Sequence, residues 1–227
     1  DVPQFGNYVE AVQISNLHIL FMNSVLVSGL STVINLLIVS MAAYVFSRFT
    51  FRGQNALLNV MLAGVLVPIV ALMVPYFRLI TSIGIYDSLW ALIVTYSGIN
   101  VPISLFLVHG FMKTIPRELE EASIIDGCGF FQRYWQIVLP LSKLGLVTAG
   151  TFAFLFSWNE FVYALLLTAS ERARTLQLGI RFFTSQFRTD YTSMYAAIII
   201  AIIPMIIVYI VLHERIIKGL TSGALKG

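Results

Sequence analysis

Charged residues are scarce in this 227-residue chain, and cysteine is almost absent. Asp, Glu, Lys and Arg together account for 11% of the residues, against about 25% in an average soluble domain. The apolar share is 58%, which leaves too little polar surface to cover a water-facing protein of this size and argues against a soluble enzyme or a disordered chain. Cys128 is the only cysteine, so an internal disulfide framework is excluded. The composition is typical of a membrane protein.

Two chemical signatures are missing as well. The sequence contains no Gly-x4-Gly-Lys-Ser/Thr loop of the kind that binds ATP phosphates, so we expect this chain to hydrolyse no ATP and to hold no cofactor. His213-Glu214 is not followed by a His at the spacing that zinc requires, so we expect no metal site. Nothing resembles a catalytic set, and we predict that the chain is not an enzyme and has no nucleic-acid partner.

Five long apolar stretches run along the chain. A helix needs roughly 20 mostly apolar residues to cross the hydrocarbon core of a membrane. Stretches of this kind cover residues 22–47, 55–82, 88–112, 141–168 and 191–212. We therefore predict an all-α membrane protein, a polytopic helical bundle that forms one transmembrane domain over residues 1–227. Pro68, Pro75 and Pro204 should bend their spans, because each removes a backbone hydrogen bond.

The start of the chain and its basic residues indicate how it is oriented. The chain opens at Asp1 without an initiator Met or a visible signal peptide, and we expect an upstream segment to be missing. Lys and Arg are enriched on the cytoplasmic side of membrane proteins. An outer N-terminus places nine of the 14 basic residues inside: Arg48, Arg52, Lys113, Arg117, Arg133, Lys143, Arg215, Lys218 and Lys226. We therefore predict a cytoplasmic C-terminus.

Three polar residues within the apolar stretches are candidates for a translocation path. Asn159 and Glu160 are adjacent in the fourth stretch, and Asn100 lies at a candidate helix break in the third. A carboxylate at membrane depth is costly unless it is paired or hydrated, so by default it marks function. For Glu160, hydration near the outer interface and a hydrogen bond between helices remain as alternatives. The break near Asn100 is either a plain kink or an unwound segment that lines a cavity.

The segment 113–140, which we call the interhelical segment, is unusually long for a connection in so compact a chain. Its first half predicts a short helix that begins at Pro116 and carries three acids near its positive end. Leu119, Ala122 and Ile125 form an apolar stripe on this helix, and Gly127 permits the tight turn that ends it.

The second half of the interhelical segment predicts another short helix. Phe131, Tyr134, Trp135 and Val138 are expected on one side of it, and it should stop before Pro140. Two short amphipathic helices either dock in the groove of a partner protein or lie on the lipid surface. The clustered acids favour the protein partner, because they would be repelled by an anionic membrane leaflet.

The interhelical segment also contains a motif. The succession Glu121-Ala122-Ser123, Asp126-Gly127 and Ile137-Val138-Leu139-Pro140 resembles the EAA loop of permease subunits in bacterial binding-protein-dependent ABC importers. The tail 219–227 resembles the C-terminus of the second permease subunit of the sugar importers, a subclass that includes the smaller maltose permease subunit. Residues 157–161 are also common in that subclass. Ser123 and Cys128 depart from the usual Ala, but both are small enough for close docking.

The resemblance implies a cytoplasmic coupling helix, which sits in a cleft of an ATPase subunit and transmits ATP-driven closure to the spans. The positions that match the motif are Glu121, Ala122, Ser123, Asp126, Gly127 and Pro140. The resemblance also implies that the tail contacts the ATPase dimer, at Gly219, Leu220, Thr221, Gly223 and Lys226. The family usually has six spans and an inner N-terminus, so five spans with an outer N-terminus fit a chain whose first span is missing.

The function implied is that of an inner-membrane permease subunit which moves a carbohydrate into the cell by alternating access. The implied partners are a second permease subunit, two ATPase subunits that bind and hydrolyse ATP, an extracytoplasmic solute-binding protein, the sugar and the lipid bilayer. The alternative is a secondary transporter driven by an ion gradient. Such proteins usually place several ionisable groups at depth, and here Glu160 stands almost alone.

Overall fold

The structure is a computed structural model, and it describes residues 16–181 and 191–224, without the side chains of Ser193 and of residues 214–224. Every regular element in these two ranges is a helix, which confirms the all-α prediction. The α-helices are α1 (Leu17–Arg48), α2 (Gln54–Ala63), α3 (Met73–Ser82), α4 (Leu89–Ile99), α5 (Val101–Met112), α6 (Glu118–Ile125), α7 (Phe130–Arg133), α8 (Leu139–Leu141), α9 (Lys143–Asn159), α10 (Val162–Leu167), α11 (Leu176–Ile180) and α12 (Tyr191–Ala224).

Shorter helical turns connect some of these elements. Residues Gly64–Leu66, Ile69–Leu72 and Glu171–Ala173 form 3-10 turns, and Tyr134–Val138 form a π-helical turn. Two helical segments, Leu17–Arg48 and Met194–His213, are long and apolar enough to cross a membrane by themselves. Three further pairs of helices pass the same test together, each bent by more than 40° at a short break. Counting each bent pair as one span gives up to five spans in the described residues, in agreement with the sequence.

The bends have local causes. Val67 is extended, as expected for the residue before Pro68, and the second span breaks there. Asn100 separates α4 from α5, so the third span has a one-residue kink rather than a long unwound segment. Pro75 lies in the first turn of α3, where no hydrogen bond is lost, and α12 continues past Pro204.

The fourth predicted span, 141–168, differs from the structure at both ends, because the corresponding bent pair covers Phe130–Leu141 and Lys143–Asn159. The expected stretch 141–168 is divided into α9, which ends at Asn159, and the separate short helix α10. Phe161 between them leaves the helical conformation, with φ of −121°. The overall apolar composition of the stretch did not reveal this interruption, although the polar pair Asn159 and Glu160 lies directly before Phe161.

The described chain forms two compact units. The first contains residues 16–31, 70–96, 154–181 and 191–210, and the second contains residues 32–69, 97–153 and 211–224. In the first unit Trp158 is buried among leucines and alanines, and its indole N–H donates to the carbonyl of Ala201 over 3.1 Å. The core of the second unit includes Tyr44, Met112 and Tyr134. The interhelical segment lies entirely in the second unit.

Candidate functional site

The first helix of the interhelical segment, α6, begins at Glu118, two residues later than predicted from Pro116. Arg117 occupies the cap position, and Glu118, Glu120 and Glu121 all fall in the first turn. Unpaired N–H groups give this end of the helix a partial positive charge, so three acids there stabilise it. The three acids therefore stabilise the start of α6, as predicted from the sequence.

The helix α6 ends in a turn that requires Gly127. Asp126 is the last residue near helical geometry, and Gly127 follows with φ of +83°. The N–H of Gly127 donates to the carbonyl of Ile124 over 3.0 Å, and the N–H of Cys128 donates to that of Ser123 over 2.9 Å. These two bonds define a Schellman motif, which reverses the chain and satisfies the last carbonyls of the helix.

The two faces of α6 differ in what they contact. Ile125 is 87% exposed, and Leu119 and Ile124 are also exposed, although all three are large and apolar. Among the positions that match the motif, Glu121, Ala122, Asp126 and Gly127 are exposed with them. Ser123 is instead buried, and its hydroxyl donates to the carbonyl of Glu120 over 2.6 Å. The exposed face therefore contains four of the five predicted positions on this helix and its turn.

The buried face of α6 is attached to α1 by Glu120. Its carboxylate forms an ion pair with the guanidinium of Arg48, and both side chains are less than one-tenth exposed. The hydroxyl of Tyr44 donates to the same carboxylate over 3.1 Å. This cluster was not predicted from the sequence. The sequence does contain the opposite charges that form the pair: Arg48 follows the first apolar stretch, and three acids lie close together in α6. Nothing in the sequence indicates which of the three acids pairs with Arg48.

The second helix of the interhelical segment corrects two predictions. Tyr134 and Val138 are buried, whereas Phe131 and Trp135 are exposed, so the four do not share one side as expected. The helix also continues through the exposed Pro140 to Leu141 instead of stopping before it. The π turn explains how, because the N–H of Leu139 donates to the carbonyl of Tyr134, five residues earlier. Pro140 then lies in the first turn of α8, where its missing N–H costs no hydrogen bond.

Glu160 has a defined set of partners within the first unit. It accepts a hydrogen bond of 2.6 Å from the hydroxyl of Tyr96 on α4. It also accepts bonds from the backbone N–H groups of Tyr163 (2.9 Å) and Ala164 (3.1 Å) at the start of α10. Of the alternatives that the sequence left open, the bonding matches a hydrogen bond between helices, combined with capping of the interrupted helix.

The other two path candidates have different surroundings. Asn159 is exposed, and its side-chain amide donates to the carbonyl of Leu155 over 2.7 Å. Asn100 is buried in the second unit, where its carbonyl accepts from the N–H of Ser104 over 3.1 Å.

The predicted tail contacts fall mostly beyond the described side chains. Gly219, Leu220, Thr221 and Gly223 belong to the backbone of α12, and their side chains are not described. Lys226 lies outside the described residues. Within the described residues no three His, Cys, Asp or Glu side chains are grouped so that they could hold a metal ion.

A further polar cluster of the first unit is centred on Asp87, between α3 and α4. Its carboxylate accepts from the N–H groups of Ala169 and Ser170, both over 2.8 Å, and from the hydroxyl of Ser170 over 3.0 Å. The two hydrogen bonds from backbone N–H groups are the main cause that holds the pKa of Asp87 below its ordinary value of 3.8, and the bond from the Ser170 hydroxyl adds to them. Asp87 therefore attaches the connection after α10 to the connection before α4.

The chain matches known proteins over almost all of its length. Residues 34–222 match the family described as binding-protein-dependent transport system inner membrane component. A putative ABC transporter permease protein, ORF2, from Caldicellulosiruptor sp. is 41% identical over 99% of this chain and 82% of its own length. The sulfoquinovosyl glycerol transport system permease protein SmoH of Agrobacterium fabrum is 34% identical over 99% of this chain and 79% of its own length.

The same similarity extends to the three-dimensional fold. A solved structure of a bacterial ABC transporter involved in the import of the acidic polysaccharide alginate contains a chain that superposes with a TM-score of 0.81. The match covers 93% of this chain and 79% of that chain, at 22% sequence identity.

Proposed function

The chain belongs to the family of binding-protein-dependent transport system inner membrane components, and from this premise we propose that it is the permease subunit of an ATP-driven carbohydrate importer. The observation that carries the proposal is the match over residues 34–222, which includes the whole interhelical segment. SmoH, a relative aligned over 99% of this chain, is a sulfoquinovosyl glycerol permease, which supports a carbohydrate as the transported class. We propose alternating access as the mechanism.

We propose that the exposed face of α6 docks in a cleft of an ATPase subunit. Glu121 and Asp126 would supply charge to this contact, and Ala122 and Gly127 would permit close approach of the two backbones. The exposure of Ile125, together with Leu119 and Ile124, supports the proposal, because three large apolar side chains on one short helix gain free energy when a partner covers them. The tail residues Gly219, Leu220, Thr221, Gly223 and Lys226 would add a second contact with the ATPase dimer.

The remaining partners follow from the same proposal. A second permease subunit would complete the membrane path, two ATPase subunits would bind and hydrolyse the ATP, and an extracytoplasmic solute-binding protein would deliver the sugar. The C-terminus and the interhelical segment would then be cytoplasmic. Of the three path candidates, Asn159 is the exposed one, and we propose it for contact with sugar hydroxyls. The bonding of Glu160 favours a role in holding α10 and α4.

Copurification from native membranes tests the proposal. The full-length tagged chain, extracted in mild detergent, should bring with it an ATPase that carries a phosphate-binding loop and a second permease. Both should remain after the control substitution Glu118→Gln, and the ATPase should be lost after Gly127→Asp. Recovery of the chain alone, or only of copies of itself, would contradict the proposal.

A transport assay separates the importer from the secondary transporter. Uptake by the importer should persist in the presence of an ionophore while ATP is held constant, and should stop when the ATPase subunit is inactivated. Uptake that an ionophore abolishes at constant ATP would instead identify an ion-driven transporter.

A further inference from the structure

One side of α1 carries three side chains that contact the interhelical segment. Ser40, Tyr44 and Arg48 occur at every fourth position, so they lie in a row along the helix. The hydroxyl of Ser40 shares a hydrogen bond of 2.7 Å with that of Tyr134. Tyr44 and Arg48 both bond to Glu120 on α6. The last two turns of α1 are therefore attached to both short helices of the segment.

The attachment at Arg48 involves a buried charge pair. The side chains of Arg48 and Glu120 are 6% and 8% exposed. A second nitrogen of the guanidinium donates to the carbonyl of Ile115 over 3.1 Å, just before the chain enters α6. Removing one member of a buried pair leaves the other charge unpaired and is strongly unfavourable. Arg48 therefore holds both the start of α6 and its buried face.

Aromatic packing surrounds this charge pair. The ring of Tyr44 packs against Phe130 and Tyr134, with centroid distances of 5.3 and 5.4 Å. These contacts hold α7 and the π turn against α1, whereas α6 itself is attached through the ion pair of Glu120 with Arg48 and the hydrogen bond that Glu120 accepts from Tyr44. Glu120 is therefore the residue of α6 through which both of these contacts reach α1.

We propose that Glu120 is a positioning residue for ATP-driven transport, which fastens α6 to α1 through Arg48 and Tyr44 so that displacement of α6 moves α1. The inference rests on the proposed function. It assigns the acids of α6 different tasks: Glu121, which is exposed, belongs to the face that meets the ATPase, and Glu120 belongs to the face that drives the permease's own helix.

The test follows movement of α1 directly. Val33, exposed on α1, is changed to Cys in a Cys128→Ser background and carries a nitroxide spin label in the complete transporter. Its spectrum is compared without nucleotide and with ATP plus vanadate. In the otherwise unaltered complex the spectrum should change with nucleotide. In Glu120→Gln the nucleotide-dependent change should fall about fivefold, while ATP hydrolysis per complex stays within about twofold.

Glu118→Gln is the matched control, because it removes an exposed acid from the same helical turn. Its nucleotide-dependent change should equal that of the reference complex. A full response in Glu120→Gln, at normal hydrolysis, would overturn this inference alone. A reference complex without any ATP hydrolysis would overturn the proposed function, and this inference with it.

Tyr44→Phe provides a milder variant should Glu120→Gln fail to assemble. It removes one hydroxyl bond to Glu120 and retains the ion pair and the ring packing. Its response should be smaller than that of the reference, by about twofold. Failed assembly of Glu120→Gln together with a full response in Tyr44→Phe would overturn the inference, because Glu120 would then only stabilise the fold.

Discussion

The left-handed backbone conformation of Gly127 forms the turn that ends α6. Its φ of +83° belongs to the left-handed region, and a Cβ added there would meet nothing within 4 Å. The cost of a side chain at Gly127 therefore comes from the backbone, at about 1–2 kcal/mol. Gly127→Ala should weaken recovery of the ATPase several-fold in the copurification experiment, because the turn after α6 is strained or rearranged.

Gly129 offers a matched control two residues later. Its φ is −72°, and an added Cβ would approach only Gln132, with 3.9 Å to its Oε1. Gly129→Ala should therefore leave ATPase recovery unchanged. Equal losses in the two variants would show that added volume, rather than the left-handed backbone, determines the effect.

The lowered pKa of Asp87 predicts that the stability of the fold depends on pH. Its folded pKa lies below the ordinary 3.8 because backbone N–H groups bond to the carboxylate. A lowered folded pKa stabilises the fold at pH values above the unfolded pKa, and this contribution is lost as the pH falls through the folded pKa. The unfolding temperature of Asp87→Asn should therefore lie below that of the unaltered protein at pH 7, and the difference should shrink below about pH 4.

Asn is the appropriate replacement at this position. The φ of Asp87 is +57°, a conformation that Asn tolerates better than most residues. The comparison therefore removes the charge and keeps the backbone preference. Thermal unfolding in detergent, followed from pH 7 to pH 3 for both proteins, is the measurement. A difference that stays constant with pH would mean that the charge of Asp87 is not responsible.

At the scale of the helical elements, glycine permits α9 to approach α5 closely. A Cβ on Gly145 would lie 2.6 Å from the Cβ of Phe111 and 2.8 Å from its Cγ, the part of that side chain nearest the backbone. Because Phe111 cannot yield there without moving α5, Gly145→Ala should lower the free energy of unfolding by about 1–3 kcal/mol.

Gly110 is the natural comparison, one residue from Phe111 on the same helix. A Cβ on Gly110 would meet nothing within 4 Å, so Gly110→Ala should be neutral or stabilising by about 0.5–1 kcal/mol. Unfolding curves of both variants in the same detergent give the two values. Comparable destabilisation by both substitutions would contradict the close approach at Gly145.

At the scale of the whole molecule, chemical labelling of Cys128 can show how the chain is oriented in the membrane. Cys128 is partly exposed, directly after the turn at Gly127. With the interhelical segment in the cytoplasm, a membrane-impermeant maleimide should label Cys128 in inside-out vesicles and leave it unlabelled in intact spheroplasts. Ser82→Cys in a Cys128→Ser background, an exposed position at the end of α3, should label in the opposite pattern. Labelling of Cys128 from outside would reverse the orientation.

Residue types alone determined much of this protein. The low charge and the five apolar stretches predicted a helical membrane protein, because partition between water and hydrocarbon depends on summed residue contributions. The turn at Gly127 was predictable too, since only local backbone geometry is involved. The motif in the interhelical segment indicated the family, which the match over residues 34–222 confirmed.

Tertiary structure decided which side chains are used inside the protein and which remain for partners. Sequence reasoning could not select Glu120 from three neighbouring acids, because its partner Arg48 is 72 positions away along the chain (120 minus 48). Likewise, Tyr96 and Tyr163 determine the surroundings of Glu160. Composition and spacing describe what a segment contains, whereas burial and pairing depend on which distant segment packs against it. That choice is made only when the helices assemble.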